Sequence, residues 1–263
     1  MKIKLVFTAL CLLPSLVNHV FAADEQSNVT TSAEFGFLFK SGNTKSGDIK
    51  AAFNLEHEKG QWRNMLNVNA LAKKTELTNA AGETELETTD NKWGIITQSN
   101  YSLYENGDSY LYANIAYEQD KFSGFVSQSS LSAGWGKNLW KTETSSFFAD
   151  VGPGLSYNTS RATPANGTIL ATTETNISVA IVQAQLLYSA KINDYVEFKQ
   201  YFVAKQALES DQNSTYKAES SITSKLIESI QFKFAFRADY DTEVQPGFKK
   251  TNTETSATLV YSF

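Results

Sequence analysis

The sequence predicts an all-β protein, a transmembrane antiparallel up-and-down β-barrel of about 12 strands. Three observations support this prediction. Residues 256–263 place Ala257, Leu259, Tyr261 and Phe263 alternately with smaller or hydroxylic residues, which gives the strand one face suited to hydrocarbon. The same alternation recurs along the chain in segments of about 9 to 11 residues, the length that a tilted strand needs to cross a bilayer. Short connections alternate with longer ones, as in barrels with turns on one side of the membrane and loops on the other.

The N-terminal residues 1–22 predict a cleaved signal peptide. Lys2 and Lys4 form a short positive region, an apolar run follows, and small residues precede cleavage after Ala22 or Ala23. The apolar run is shorter than the roughly 20 residues of a transmembrane helix. The mature protein is therefore expected to be exported.

Composition narrows the class further. The only cysteine, Cys11, lies in the predicted signal, so the mature chain is expected to contain neither thiol nor disulfide. No later segment approaches about 18 consecutive apolar residues, which argues against helical spans. The formal net charge of -5, more negative still without the signal lysines, argues against nucleic acid as a partner. Residues 23–30 are predicted to form a short periplasmic segment and residues 31–263 the barrel.

The first three predicted strands show the alternation clearly. The first begins at Thr31 and carries Phe35, Phe37 and Phe39 on one face. The outward face of the second consists of Ile49, Ala51, Phe53, Leu55 and His57. A tight turn at Gly60 leads to the third. Its outward residues are Trp62, Leu66, Val68, Ala70 and Ala72. An acidic, threonine-rich loop is predicted over residues 75–90.

Nine further strands follow with the same period of two. The fourth to eighth are marked by Trp93, Ile95, Tyr101 and Leu103; Leu111, Ala113, Ile115 and Tyr117; Leu131, Ala133, Trp135 and Leu139; Phe147, Ala149, Val151, Leu155 and Tyr157; and Ala180, Val182, Ala184, Leu186 and Tyr188. The ninth to eleventh are marked by Val196, Phe198, Phe202 and Ala204; Tyr216, Ala218, Ile222 and Leu226; and Ile230, Phe232, Phe234, Phe236 and Tyr240. Residues 256–263 close the series. The even number would let the first and last strands pair, which leaves no open edge.

The connections predict the orientation. Short ones are expected near Gly60, Asn106, Lys141, Asn193 and Ser229. Longer ones are expected near Gly42, Gly82, Gly124, Asn166, Asp211 and Gly247. Their alternation places both termini on one side of the membrane, and we expect that side to be the periplasm.

A family resemblance is carried by residues 36–74, which read GFLFKSGNTKSGDIKAAFNLEHEKGQWRNMLNVNALAKK. The Ser-Gly-Asn-Thr turn at 41–44 and the charged hairpin at 56–60, followed by Trp62-Arg63-Asn64, resemble the DUF481 family. Members of that family are described as salt-induced outer-membrane proteins. The resemblance therefore implies an outer-membrane location, and it brings no activity and no catalytic residues.

Charged residues at inward positions are the candidate lumen lining. They are Lys50, Arg63, Lys73, Glu118, Glu197, Lys199, Lys217, Glu219, Lys233, Arg237 and Asp239. Mixed signs predict weak ion selectivity. Twelve strands lie between the small barrels that side chains fill and the large barrels that leave a channel. A narrow passive channel and an envelope-stress structural barrel, closed by paired charges, both fit this lining.

No catalytic, cofactor or metal site is predicted, and the chain is not expected to be an enzyme. One alternative is an outer-membrane lipid hydrolase using His57, the only histidine after the signal, because a serine nucleophile needs a base within hydrogen-bond reach. Another is Ca²⁺ binding by the acidic residues at 83–90, a run that is also typical of a solvated loop. A third is a surface-binding barrel acting through the loops at 75–90, 160–175 and 241–252.

The expected partners follow from the location. They are outer-membrane lipids and, during biogenesis, the barrel-assembly machinery. Leu259, Tyr261 and Phe263 are the candidate assembly signal, because the last strand resembles the closing strand of outer-membrane barrels.

Overall fold

The chain forms a closed barrel of twelve antiparallel strands in a computed structural model that describes residues 27–40, 46–78, 84–104, 108–120, 123–161, 174–244 and 249–263. The strands are β1 (Ser27–Lys40), β2 (Ser46–Lys59), β3 (Trp62–Thr78), β4 (Thr84–Ser102), β5 (Ser109–Asp120), β6 (Phe125–Lys141), β7 (Ser145–Arg161), β8 (Glu174–Lys191), β9 (Val196–Ala207), β10 (Thr215–Lys225), β11 (Ile230–Asp241) and β12 (Thr251–Ser262). Each strand pairs with the next in sequence, and β1 pairs with β12. The predicted fold class and strand number are confirmed. Within these residues no helix is long and apolar enough to cross a membrane.

The two faces of the wall differ as the alternation predicts. Large apolar side chains such as Leu155 and Phe234 are exposed on the outside, whereas Gln98, Asn114 and Gln183 are buried on the inside. Every strand must satisfy its backbone hydrogen bonds with its neighbours, since hydrocarbon offers none. A closed ring with an apolar outer face meets that requirement.

Aromatic pairs mark the two edges of the apolar band. Trp62 and Tyr101 lie with ring centroids 5.1 Å apart at one edge. Trp93 and Tyr117 lie 5.1 Å apart at the other. Trp93 and Tyr101 are separated by eight residues of β4, which is about 26 Å along a strand and about 20 Å along the axis of a tilted barrel. That height is close to the apolar band of about 25 Å in outer-membrane barrels.

The short turns lie side by side at the same end of the barrel as Ser27 and Phe263, the first and last described residues. Neighbouring turns are joined by backbone hydrogen bonds, from Lys225 to Tyr195 at 2.7 Å and from Ser262 to Ser229 at 2.9 Å. The predicted short connections near Gly60, Lys141, Asn193 and Ser229 are confirmed, and Gly60 has the positive φ of a tight turn, 57°. The one near Asn106 lies outside the described residues.

Two boundaries differ from the prediction. The first strand begins at Ser27, so residues 27–30 belong to the barrel, not to a separate segment. Most of the loop predicted over 75–90 is strand, since β3 continues to Thr78 and β4 begins at Thr84. Beyond the apolar band both faces of a strand meet water, so no apolar alternation is needed there, and β-branched threonine suits the pleat. The predicted signal peptide lies outside the described residues.

Candidate functional site in the barrel lumen

A charged layer crosses the lumen at Glu118. Its carboxylate on β5 accepts hydrogen bonds from Lys217 on β10 at 2.9 Å and from Arg237 on β11 at 3.3 Å. β5 and β11 are six strands apart in a ring of twelve, so they form facing walls. Arg237 also pairs with Asp239 at 2.8 Å. Long side chains from opposite walls therefore meet inside the barrel.

A second group of charges surrounds Glu254 on β12. Its two carboxylate oxygens lie 2.6 Å from Lys50 on β2 and 2.8 Å from Lys92 on β4. Lys50 also donates to Ser256 at 3.0 Å. All these charged side chains are largely shielded from solvent, so each depends on an opposite charge to offset its desolvation.

A third ion-pair group lies closer to the turns. Lys233 on β11 is 3.3 Å from Glu34 on β1 and 3.3 Å from Glu219 on β10. Near the same end, Arg63 is 2.8 Å from Glu56 and stands over the ring of Phe148. The charges of the lumen are thus arranged in several paired layers.

The other side of the lumen is filled by a neutral and acidic network centred on Gln98. Gln98 donates to Asn100 at 3.0 Å and to Asp150 on β7 at 3.3 Å. Its carbonyl accepts hydrogen bonds from Asn114 at 3.1 Å and from Gln185 on β8 at 2.9 Å. Since β4 and β8 are four strands apart, this network also spans the lumen.

Two glycines of β6 allow close approaches on this side of the wall. A Cβ at Gly136 would lie 2.3 Å from the ring of Tyr110, and one at Gly134 would lie 2.2 Å from the carbonyl oxygen of Val151. Tyr110 and Tyr112 are almost fully buried. The ring of Tyr110 therefore occupies the space beside Gly136, and the backbones of β6 and β7 approach each other closely at Gly134.

The loop end of the barrel is narrowed at Asp241. Its carboxylate accepts hydrogen bonds from Gln128 on β6 at 3.3 Å, from Asn213 at 2.8 Å and from Thr215 at 3.1 Å. The β9–β10 connection packs beside a small buried apolar cluster. That cluster consists of Val179, Ile181 and Ala207. The hydrogen bond between Gln128 and Asp241 thus joins β6 to β11 across the loop end of the lumen.

An open space remains between these layers and the loop end. The cavity has a volume of about 590 Å³ and is bounded by β1 to β5 and β10 to β12, with Gln128 of β6 at its edge. Its charged lining includes Lys50, Lys73, Lys92, Glu118, Asp239 and Glu254. We call this space the vestibule. The lumen is therefore constricted and not completely filled.

The predicted lumen residues face inward, and the structure divides them into groups. Glu118, Lys217, Arg237 and Asp239 form the cross-lumen layer, Lys233 and Glu219 pair with each other, and Lys50 and Lys73 line the vestibule. Arg63 pairs with Glu56, and Glu197 pairs with Lys199 at 3.0 Å near the turns. Their part in transport stays a prediction.

Sequence reasoning missed Lys92, Glu254 and the Gln98 network. Lys92 adjoins the outward Trp93, so alternation alone would have placed it inward. Glu254 lies between the loop predicted over 241–252 and the alternating residues 256–263, so the pattern assigned it no position; it belongs to the first half of β12. Uncharged inward residues such as Gln98 carry no distinctive signal until their neighbours across the lumen are known.

His57 lies on the outer wall with two polar neighbours in register. His57 is opposite Asn64, which in turn is opposite Ser99. Ser99 donates its hydroxyl to the side-chain oxygen of Asn64 at 2.7 Å. Among the described residues no group of His, Cys, Asp and Glu is arranged to hold a metal ion, and Glu83 of the acidic run lies outside them.

A closed barrel with an apolar outer band, aromatic edges and a polar interior defines an outer-membrane β-barrel protein. The chain belongs to the DUF481 family. The family model, described as a protein of unknown function, matches residues 33–263, and this confirms the resemblance noted in the first three strands. No curated protein matches the sequence.

The chain is similar to several solved structures at low identity. The translocator domain of the autotransporter NalP from Neisseria meningitidis is 10% identical, with a TM-score of 0.48 over 94% of this chain and 90% of that one. An outer membrane channel from Pseudomonas putida F1 is 10% identical, with a TM-score of 0.45 over 90% and 95%. The β domain of the Bordetella autotransporter BrkA is 10% identical, with a TM-score of 0.40 over 91% and 99%.

Proposed function

We propose that the protein is a narrow passive channel of the outer membrane, constricted by ion pairs and without catalytic activity. The observation that carries this proposal is the contact of Glu118 with Lys217 and Arg237 from facing walls, beside a vestibule of about 590 Å³. A purely structural barrel gains nothing from an unfilled, charged cavity, because buried charges cost free energy unless they are paired or hydrated.

The constriction consists of side chains and not of a folded domain. The side chains of Lys217 and Arg237 are long and flexible. A movement of a few ångströms would connect the vestibule with the part of the lumen near the short turns. Both positive and negative side chains lie in this constriction. We therefore expect small conductance and weak preference between anions and cations.

The orientation proposed for the barrel has both termini and the short turns in the periplasm, with the vestibule toward the outside. Outer-membrane lipids surround the apolar band, and the barrel-assembly machinery inserts the chain. Induction by salt, which the sequence resemblance to the family implied, stays a prediction. An exterior vestibule supports uptake of small solutes over binding through the loops alone.

The hydrogen bond between Ser99 and Asn64 on the outer wall, beside His57, supports the absence of catalysis. A serine nucleophile must give its proton to a base. Ser99 has one hydroxyl proton, and Asn64 accepts it. A hydrolase would need that hydrogen bond to be directed to His57 instead.

Planar-bilayer recording tests the proposal. The wild-type barrel should give small discrete current steps, and Arg237→Ala should enlarge them several-fold because it shortens a side chain in the constriction. Lys199→Ala removes a charge near the turns, where its side chain is half exposed, and should leave the step size nearly unchanged. If neither the wild type nor Arg237→Ala conducts while both fold, the proposal is wrong and the structural barrel is favoured.

A further inference from the structure

Asp48 and Lys73 are adjacent in the wall of the vestibule. They are direct partners in the register between β2 and β3, and both line the cavity. The Oδ1 atom of Asp48 is buried and accepts no hydrogen bond. Among the described residues, Lys73 forms no ion pair. One acceptor and one cation thus stand side by side without satisfying each other.

This pair differs from the ion-paired charges of the lumen. Glu118, Glu254 and Lys233 each contact two opposite charges. A buried carboxylate oxygen without a donor is costly, because it has lost its water and gained no replacement. A ligand that brings both a donor cation and an acceptor anion would satisfy Asp48 and Lys73 together.

We propose that the vestibule binds a small zwitterion, with its ammonium group on Asp48 and its carboxylate on Lys73. This inference deepens the proposed channel function, since the zwitterion would be the class of solute that enters it. Directly opposed residues on neighbouring strands have Cβ atoms about 5 Å apart. The two charges of the ligand must therefore be separated by only a few bonds, as in an amino acid.

The vestibule suits such a ligand in size and in charge. Its volume of about 590 Å³ lies within the usual range of small-molecule sites, about 300 to 1,000 Å³. Lys92 also lines this space, but it is already paired with Glu254. A simple anion would leave Asp48 without a donor, and a simple cation would leave Lys73 without an acceptor.

Calorimetric titration of the full chain in detergent micelles tests the inference without requiring conduction. The probes are β-alanine, propionate and propylammonium, which have similar size and differ in charge. We expect β-alanine to bind at least about tenfold more tightly than either of the others, a difference of about 1.4 kcal/mol. Asp48→Asn should reduce β-alanine binding to the level of propionate, and Lys73→Gln should reduce it to the level of propylammonium.

The control is Lys199→Gln, whose charge lies near the turns and outside the vestibule. It should bind β-alanine like the wild type, and β-rich circular dichroism should confirm that every variant folds. Equal binding of β-alanine and propionate, or heat from none of the probes, would overturn the zwitterion site. Current steps without β-alanine binding would overturn this inference alone, whereas β-alanine binding to a silent barrel would overturn the channel and leave the site.

Discussion

Glu118 and Arg237 belong to facing walls of the barrel, yet their side chains meet at 3.3 Å inside it. They are 119 residues apart in the sequence. The contact joins β5 to β11 through the lumen, in addition to the backbone hydrogen bonds that run around the wall. It therefore narrows the passage and also braces the barrel against deformation.

The first prediction concerns the stability of this layer. Glu118→Gln removes the carboxylate shared by Lys217 and Arg237 and should lower the free energy of unfolding by about 3 kcal/mol, because it leaves a shielded cation unpaired. Adding Lys217→Gln should recover part of the loss, since Arg237 keeps Asp239 at 2.8 Å. Urea unfolding in detergent measures both changes.

The control for this prediction is Glu197→Gln. Glu197 pairs with Lys199, but both side chains are substantially exposed, so the loss should be below about 1 kcal/mol. Equal losses for Glu118→Gln and Glu197→Gln would show that the cross-lumen layer contributes no special stability.

The second prediction concerns the close contact between β6 and β7. Gly134→Ala places a methyl group where backbone atoms of Val151 and Gly152 lie within 3 Å. Backbone cannot move aside as a flexible side chain can, so overpacking should cost at least about 2 kcal/mol. The yield of heat-modifiable barrel after refolding in detergent measures the effect.

A matched substitution is Gly94→Ala on β4, where the nearest atom would lie at 3.2 Å. It should reduce the yield much less than Gly134→Ala. Comparable yields for the two variants would contradict the close approach of β6 and β7.

The sequence predicted the wall far better than the contents of the lumen. A strand in a bilayer needs only a period of two, so Trp62 or Leu155 reveals its face from immediate neighbours. The same period shows that Glu118 points inward. It does not show that Glu118 meets Arg237, because that contact depends on the tilt and stagger of the closed barrel.

The sequence did not predict the facing ends of β3 and β4 or the vestibule, for related reasons. Residues 75–78 and 84–90 extend β3 and β4 beyond the apolar band, where a strand needs no apolar alternation, so their polar sequence resembles a loop. Whether Asp48 and Lys73 meet an opposite charge among the described side chains depends on the positions that the strands take in the closed barrel. Such a property belongs to the folded barrel and to no single segment.

The third prediction concerns the lipid-facing surface. The four tryptophans of the chain, Trp62, Trp93, Trp135 and Trp140, are all well exposed on the described barrel. Because that surface meets hydrocarbon and its interface, lipids brominated on their acyl chains should quench tryptophan fluorescence strongly after reconstitution. Aqueous iodide should quench it weakly, and the reverse pattern would contradict the membrane-facing assignment.

The last prediction concerns the seam that closes the ring. β1 and β12 pair over Ser32–Phe35 and Leu259–Ser262. Phe263 extends the seam, since its backbone N–H donates to Thr31 at 3.1 Å and its carbonyl accepts the Thr31 hydroxyl at 2.5 Å. Its ring stacks on Tyr261 with centroids 5.6 Å apart.

Two variants separate the seam contacts from recognition by the assembly machinery. Thr31→Val removes one hydrogen bond and should lower stability in detergent by about 1 kcal/mol, while the amount of barrel in the outer membrane stays near normal. Deleting Phe263 should reduce that amount severely, and by more than it reduces refolding in detergent, because the proposed assembly signal is lost as well. Normal assembly of the shortened chain would show that Phe263 contributes only to the seam.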